Sequence, residues 1–292
     1  MVIKIAHIQW HEEYDLNAAV RWLAKRFGIA GTLEDGSAGE QTEDWKIFAN
    51  YSRIQEITTD EKQEIILKEY DKDILKRFNY NIKIESWLQE GITEEVIKYN
   101  QIGYYPGGEQ ITIPHFDINN RLVGIRGRAL IKEEAENYGK YRPLKINKIL
   151  YNHPLGLNLY NLNNSAKQIK LMKRAFVFES EKSTLKFQSY FGIENDITVA
   201  CCGSNLSNYQ MQLLLDLGVQ EVIIGFDRQY EELGTNDSRL WAKKLTKIYD
   251  KFNKNVQISF LWDKENLLGW KDSPIDRGPQ VFLELFRKRI IL

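Results

Sequence analysis

In the last third of this 292-residue chain, acidic side chains recur at the ends of apolar runs. Glu179 follows RAFVF, with Glu181 close behind, and Asp227 closes EVIIGF and is followed by Arg228 and Gln229. After VQISFLW come Asp263 and then the run Lys271, Asp272, Ser273, Pro274, Ile275, Asp276. A single acid in such a place is ordinarily a cap or a solvated residue. Several of them, delivered by separate strands to one edge, are the oxygen donors that hard cations such as magnesium require. Other chemistries find little support. The chain has no GxxxxGK[ST] phosphate cradle, no GxGxxG after a strand, and no Ser or Cys in a nucleophile-elbow context. His7 and His11 are four apart, but no glutamate follows His7, which excludes the two-histidine zinc helix, and His115 and His153 stand alone. Cys201 and Cys202 are adjacent, so on a strand they point to opposite faces and cannot chelate one ion together. They read as small apolar side chains in a reducing cytosol.

The elements that must position the acids are visible in the hydrophobic pattern. Strands are expected at RAFVFE (174–179), DITVACC (196–202), EVIIGFD (221–227) and VQISFLW (256–262), with helices near 183–191, 207–217, 237–252 and 279–289. Continuous apolar strands alternating with helices predict an α/β fold whose parallel sheet of about four strands is covered on both faces. In such sheets ligands bind outside the carboxyl ends of the strands. Upstream, QITIPHFD and RLVGIRGRAL form an expected hairpin joined at INN, where Asn119 and Asn120 tolerate positive φ. The pattern from Thr58 to Tyr99 is helical, with Gly91 breaking one helix and Thr93 capping the next. Leu16 to Ile29 predicts a further helix, followed by the acidic, glycine-containing linker GTLEDGSAGEQTED. Three parts are therefore expected: a helical N-terminal segment and linker over 1–57, a mixed α+β basic subdomain over 58–172, and the parallel-sheet domain over 173–292.

With 43% hydrophobic and 27% charged residues the composition is that of a soluble globular protein. No run approaches the ~20 apolar residues of a spanning helix, and MVIKIAHIQWHEEYD is not a signal peptide, so the expectation is cytoplasmic with no membrane partner. Lys+Arg and Asp+Glu balance at 40 each, but the distribution is uneven. Between Arg121 and Lys148 stand eight basic residues (Arg121, Arg126, Arg128, Lys132, Lys140, Arg142, Lys145, Lys148) against three acidic ones (Glu133, Glu134, Glu136). A basic segment beside an acidic one suits a protein that holds a phosphate backbone with one part and divalent cations with the other, although on charge alone two solvated faces of opposite sign are the simpler reading.

At these residues the sequence resembles a known family. FVFESEKSTL, VACCGSNLSNYQMQLLLDLG, VIIGFDRQY and KDSPID, in that order, resemble the Toprim domain of bacterial DnaG-type DNA primases. Upstream, WLQEGITEEVIKYNQIGYYPGG is similar to the primase segment that enters the catalytic core. ITIPHFDINNRLVGIRGRAL resembles its basic hairpin, and KYRPLKINKILYNHPLGLNLYNL resembles the stretch before the Toprim strand. The resemblance covers roughly 58–292 and is to a catalytic core alone, without the family's zinc-binding domain, as expected of a reduced phage or mobile-element variant or of a shortened form of a longer protein.

The resemblance implies a primer-synthesising RNA polymerase that uses Mg2+ or Mn2+, with no zinc site in this chain. It acts on single-stranded DNA with nucleoside triphosphates, and it leaves room for a replicative helicase or a separate zinc-binding protein as partner. Glu179, Asp227 and Asp272 match the family's catalytic and metal-binding acids. Gln229 stands where a second aspartate is usual, which keeps an acceptor but removes a charge, so that either one cation binds more weakly or Asp276 or Asp263 supplies the missing charge. Lys140, Tyr141 and Arg142 match positions that hold nucleotide and template, and Arg126 and Arg128 lie in the basic hairpin. Lys145, Lys182 and Arg228 join the nucleotide- and template-binding set by position, and Tyr104, Tyr105 and Tyr141 are candidates to stack on bases. Ser180 and Ser183 replace the family's glycine and aspartate. The rival functions are a Toprim nuclease, and a catalytically weakened Toprim protein kept for DNA binding in replication.

Overall fold

In a computed structural model of the chain, residues 66–292 are described, apart from 132, 134–136 and 138. The helix expected over 16–29 and its linker lie outside the described residues. Two five-stranded sheets carry the rest. The first is an antiparallel meander in sequence order: β1 (Gly103–Tyr105), β2 (Gln110–Phe116), β3 (Leu122–Ala129), β4 (Tyr141–Ile146) and β5 (Ile149–Tyr151). β2 and β3 are the expected hairpin. Asn120 takes φ 60, and Asp117 Oδ1 accepts from the backbone N–H of Asn119 and Arg121 at 3.0 and 2.8 Å, so the side chain folds the turn. β4 and β5 have no clear signal in the sequence, because YRPLKI mixes proline and cations and buries only Leu144 and Ile146.

The helical reading of 58–99 needs correction over its described part. Only short pieces form: a 3-10 turn at Lys72–Arg77, α1 (Glu85–Gln89) and α2 (Glu94–Tyr99). Between them Phe78 is extended and buried in the core, and Asn79 pairs with Tyr104 on β1. Sheet pairing and the burial of one ring override local helical spacing here. The end signals do operate: Gly91 sits at φ 90 after α1, and Thr93 caps α2 by accepting from the Val96 N–H at 3.3 Å.

The second sheet has the order β10-β9-β8-β6-β7. Its strands are β6 (Arg174–Phe178), β7 (Thr198–Ala200), β8 (Glu221–Gly225), β9 (Gln257–Phe260) and β10 (Ile290–Ile291). The four expected strands run parallel, and β10 adds an antiparallel edge that follows the last helix. The helices are α3 (Leu162–Met172), α4 (Glu181–Phe191), α5 (Asn208–Asp216), α6 (Asn236–Phe252) and α7 (Pro279–Arg287). The strands end sooner than the apolar runs, so Glu179, Asp227 and Asp263 fall just beyond the sheet.

Burial explains why the halves stay together. Phe176, Phe178, Phe187, Phe191 and Phe282 pack ring against ring around the parallel sheet. Phe116, Leu122, Ile125, Leu144 and Ile146 form a core under the first sheet. A third core joins Ile111 and Ile113 of β2 to Trp87, Leu185 and Ala200, so the two sheets share buried surface. Burying each such large side chain contributes about 1.5–3 kcal/mol. Among the described residues no helix is long and apolar enough to cross a membrane.

Candidate active site

β6 and β8 are neighbours, with Phe178 opposite Gly225. Glu179 therefore stands one residue past that pair on β6, and Asp227 two residues past it on β8. A side chain at 225 would bring its Cβ within 2.9 Å of the Phe178 ring, so glycine lets the two strand ends lie close. Past Asp227 the chain pairs with the loop after β9: the Arg228 N–H donates to Asp272 O at 2.9 Å, and the Lys271 N–H to Arg228 O at 2.7 Å. That pairing carries Asp272 to the same rim. The three acids expected at the strand ends are thus brought together, and α4 starts immediately beside them.

Two of these carboxylates each keep one oxygen without a protein partner. Glu179 Oε1 and Asp227 Oδ1 are both buried without a hydrogen bond. Burial and the Asp227 charge push the Glu179 carboxyl up to about 8, with Lys244 and the Asp227 backbone opposing the rise. Burial and the Asp276 and Asp272 charges push Asp227 up to about 7, against Lys182 and Ser273. Burying a carboxylate oxygen without a donor is costly, and a divalent cation removes that cost by coordination. The residues present therefore fit a magnesium-type ion.

The surrounding acids are engaged elsewhere. Asp272 Oδ2 accepts from the Gly269 N–H at 2.7 Å and from Arg277 Nε at 2.5 Å. Asp276 accepts from Lys186 Nζ at 2.6 Å and from the Ser273 N–H at 2.9 Å. Asp263 is 2% exposed and accepts from Arg228 Nη1 at 2.9 Å and from the backbone N–H of Glu265, Leu267 and Leu268. Neither Asp276 nor Asp263 is left to replace the charge missing at Gln229. Ser180 and Ser183 bond to each other at 3.0 Å, and Ser183 donates to Ser273 Oγ at 3.0 Å, which lines the start of α4 with hydroxyls.

Most of the basic residues singled out in the sequence face inward. Arg126 Nη1 donates to Glu181 Oε1 at 2.6 Å, and His115 Nε2 lies 3.1 Å from the same oxygen. Burial opposes ionisation of Glu181, but Arg126 and His115 outweigh it and hold the carboxyl at about 2. Arg128 donates to the Tyr141 hydroxyl at 3.2 Å and lies over the Tyr141 and Trp87 rings, and burial pushes the Tyr141 phenol upward. Arg228 is a correction. Its place in the sequence suggests a ligand of nucleotide or template, yet it is 3% exposed and its guanidinium bonds Asp263, Asn266 and the carbonyls of Tyr230, Glu231 and Leu268. Lys182 is paired with Glu90. Lys140 and Lys145 are exposed, and the half-buried Arg142 faces the Gln110 carboxamide. Tyr105 packs edge-on against Phe78 at 6.2 Å, and Tyr104 is half-buried on β1.

Sequence reasoning missed Glu90, Lys186 and Lys244. Their spacing carries no signal, because they reach the site from separate stretches of chain. It also passed over the convergence of His115, Glu181 and Cys202, whose ligand-type atoms lie within 4.8 Å of one another. Arg126 already neutralises Glu181, and burial holds the Cys202 thiol protonated and the His115 ring neutral, so this cluster is a compensated core network.

No protein-family model matches the chain. The SPbeta prophage-derived uncharacterized protein YorJ of Bacillus subtilis (strain 168) is 39% identical over 287 residues, covering 94% of this chain and 74% of that one. Among solved structures, the Aquifex aeolicus primase comprising zinc-binding and RNA polymerase domains matches with a TM-score of 0.56 at 17% identity, over 99% of this chain and 70% of that one. The DnaG primase catalytic domain bound to ssDNA matches at 0.55 and 17%, over 75% and 77% of the two chains. The E. coli primase catalytic core matches at 0.55 and 17%, over 75% and 79%. The chain thus belongs to the same family as the prophage protein YorJ, and its fold is that of the DnaG-type primase catalytic core.

Proposed function

We propose that this protein is a DnaG-type primase core of phage type, which joins nucleoside triphosphates into short primers on single-stranded DNA. In this reading residues 173–292 are a Toprim domain and 58–172 a basic template-binding half. One observation carries it: in a fold shared with primase cores, Glu179 and Asp227 meet at adjacent strand ends with buried, partnerless oxygens. Support for the template comes from a similar structure that is a primase catalytic domain bound to ssDNA. A 3′-hydroxyl attacks an α-phosphate and pyrophosphate leaves.

Magnesium or manganese held by Glu179 and Asp227, with Asp272, Gln229 and Asp276 around them, would stabilise the charge that develops on the phosphate oxygens. The chain's own residues do the rest. Exposed Lys140 and Lys145, with Arg142 on β4, bind template and triphosphate through charge. Arg126 acts indirectly, tying the first sheet to Glu181 at the start of α4 and so fixing the backbone next to Glu179.

Incubation with labelled nucleotides, single-stranded template and Mn2+ tests the reading. New oligonucleotides are expected, and Glu179→Gln is expected to lower the yield by about 100-fold or more while leaving single-stranded DNA binding intact. A shortened template instead means a nuclease, and neither product means a binding protein; both results overturn the proposal.

A further inference from the structure

The acids around the site differ sharply in what they have left to offer. Asp272, Asp276, Asp263 and Glu181 each face a cation within 2.9 Å. Glu90 is held between Lys182 and Lys186. Among the described residues only Glu179 and Asp227 are acids with buried oxygens that lack a partner, and Gln229, two residues after Asp227, is neutral. Two carboxylates balance the charge of one divalent ion.

The lysines divide in the same way. Lys182, near Asp227, is tied to Glu90. Lys244 of α6 is the cation that acts on Glu179, and it has no carboxylate partner among the described residues. It hydrogen-bonds the Ser204 hydroxyl and lies 4.9 Å from the Trp241 ring centroid, so its stem is steered without its charge being neutralised. Ser204, Gln229, Trp241 and Lys244 line a cleft of about 330 Å³, bordered by exposed Asp237 and Leu240. The cleft therefore begins at Gln229, two residues from Asp227. Its volume and its lining of one cation, a hydroxyl, an amide and an aromatic wall suit a nucleoside triphosphate, with the Asp237 carboxylate at the exposed border placed to face the sugar or base rather than the phosphates.

We propose that the site is built for a single divalent cation, and that Lys244 supplies the second positive charge against the polyphosphate of a nucleoside triphosphate seated in this cleft. The inference rests on the function proposed above. A phosphate oxygen replaces Ser204 as the acceptor for the Lys244 ammonium, which is a charge-assisted and therefore stronger bond.

Mn2+ binding followed by electron paramagnetic resonance, together with ATP affinity in the presence of Mn2+, tests it on the full chain. The wild type is expected to bind one Mn2+, and Gln229→Asp two. Lys244→Met is expected to retain one Mn2+ but to bind ATP about tenfold or more weakly, with Lys244→Arg recovering part of the loss. Two Mn2+ ions in the wild type, or unchanged ATP affinity in Lys244→Met, overturns the inference while the primase reading stands. No Mn2+ bound by the wild type, or full binding by Glu179→Gln, overturns the primase reading itself.

Discussion

Glu179 and Asp227 are carboxyls that the fold prefers protonated in the absence of a cation, at about 8 and about 7. The unfolded chain releases the same protons near pH ~4. Between those limits the native state binds more protons than the unfolded one, so the metal-free protein loses stability as pH rises from about 4.5 to about 8 and then levels off. A tenfold difference in proton affinity between the folded and unfolded states corresponds to about 1.4 kcal/mol, which makes the effect a matter of a few kcal/mol for the coupled pair. Glu179→Gln removes the glutamate's share. Thermal melts in chelator should find the variant more stable than the wild type at pH 8 and equal to it near pH 4, with Mg2+ closing the gap. Melts of the two proteins that stay parallel across this range would show that the pair is not strained. At this scale the acids themselves were legible, because a strand-end position is set by the run of apolar residues before it. The partners of the neighbouring acids were mostly not, since Lys186 reaches Asp276 across 90 residues and Arg126 reaches Glu181 across 55.

Among elements, the loop after β9 does the most to assemble the site. Asp263 gathers three backbone N–H groups and Arg228, and Arg228 pairs by its backbone with Lys271 and Asp272. The loop is thereby stitched to the end of β8, next to Asp227. Asp263→Ala leaves the Arg228 guanidinium buried without its counter-charge, which should cost about 3–5 kcal/mol. It should also weaken Mn2+ binding, since Asp272 is then free to drift. Mn2+ affinity equal to wild type in protein that is still folded would mean that the loop does not position the site. The parallel strands and the helices between them follow the apolar pattern to within a few residues. The segment before Tyr99 does not, because Phe78 and Asn79 answer to a distant strand rather than to their helical neighbours.

For residues 66–292 as a whole, the shared core around Ile111, Ile113, Trp87, Leu185 and Ala200 decides how the molecule behaves. The side chains of one sheet's β2 and of the other half's α4 fill one apolar space. Leu185→Ala, at a fully buried position, should cost about 2–5 kcal/mol. It should lower the melting of both halves together, read by hydrogen exchange in β3 and in β8. Loss of protection in β8 alone would show that the halves fold as independent domains divided near 172.

The sequence by itself determined the alternation of parallel strands and helices, the β2–β3 hairpin, the cap at Thr93, and the acids placed at the carboxyl ends of the strands. Each of these follows from local spacing, which the chain carries in its own order. Tertiary structure alone decided which charges remain available. Burial and pairing across 35 to 90 residues neutralise Arg228 with Asp263 and Lys186 with Asp276, while Glu179 and Asp227 keep unsatisfied oxygens. The physical reason is that a side chain's charge acts through its distance to other charges and to water, and neither distance is written in the linear order.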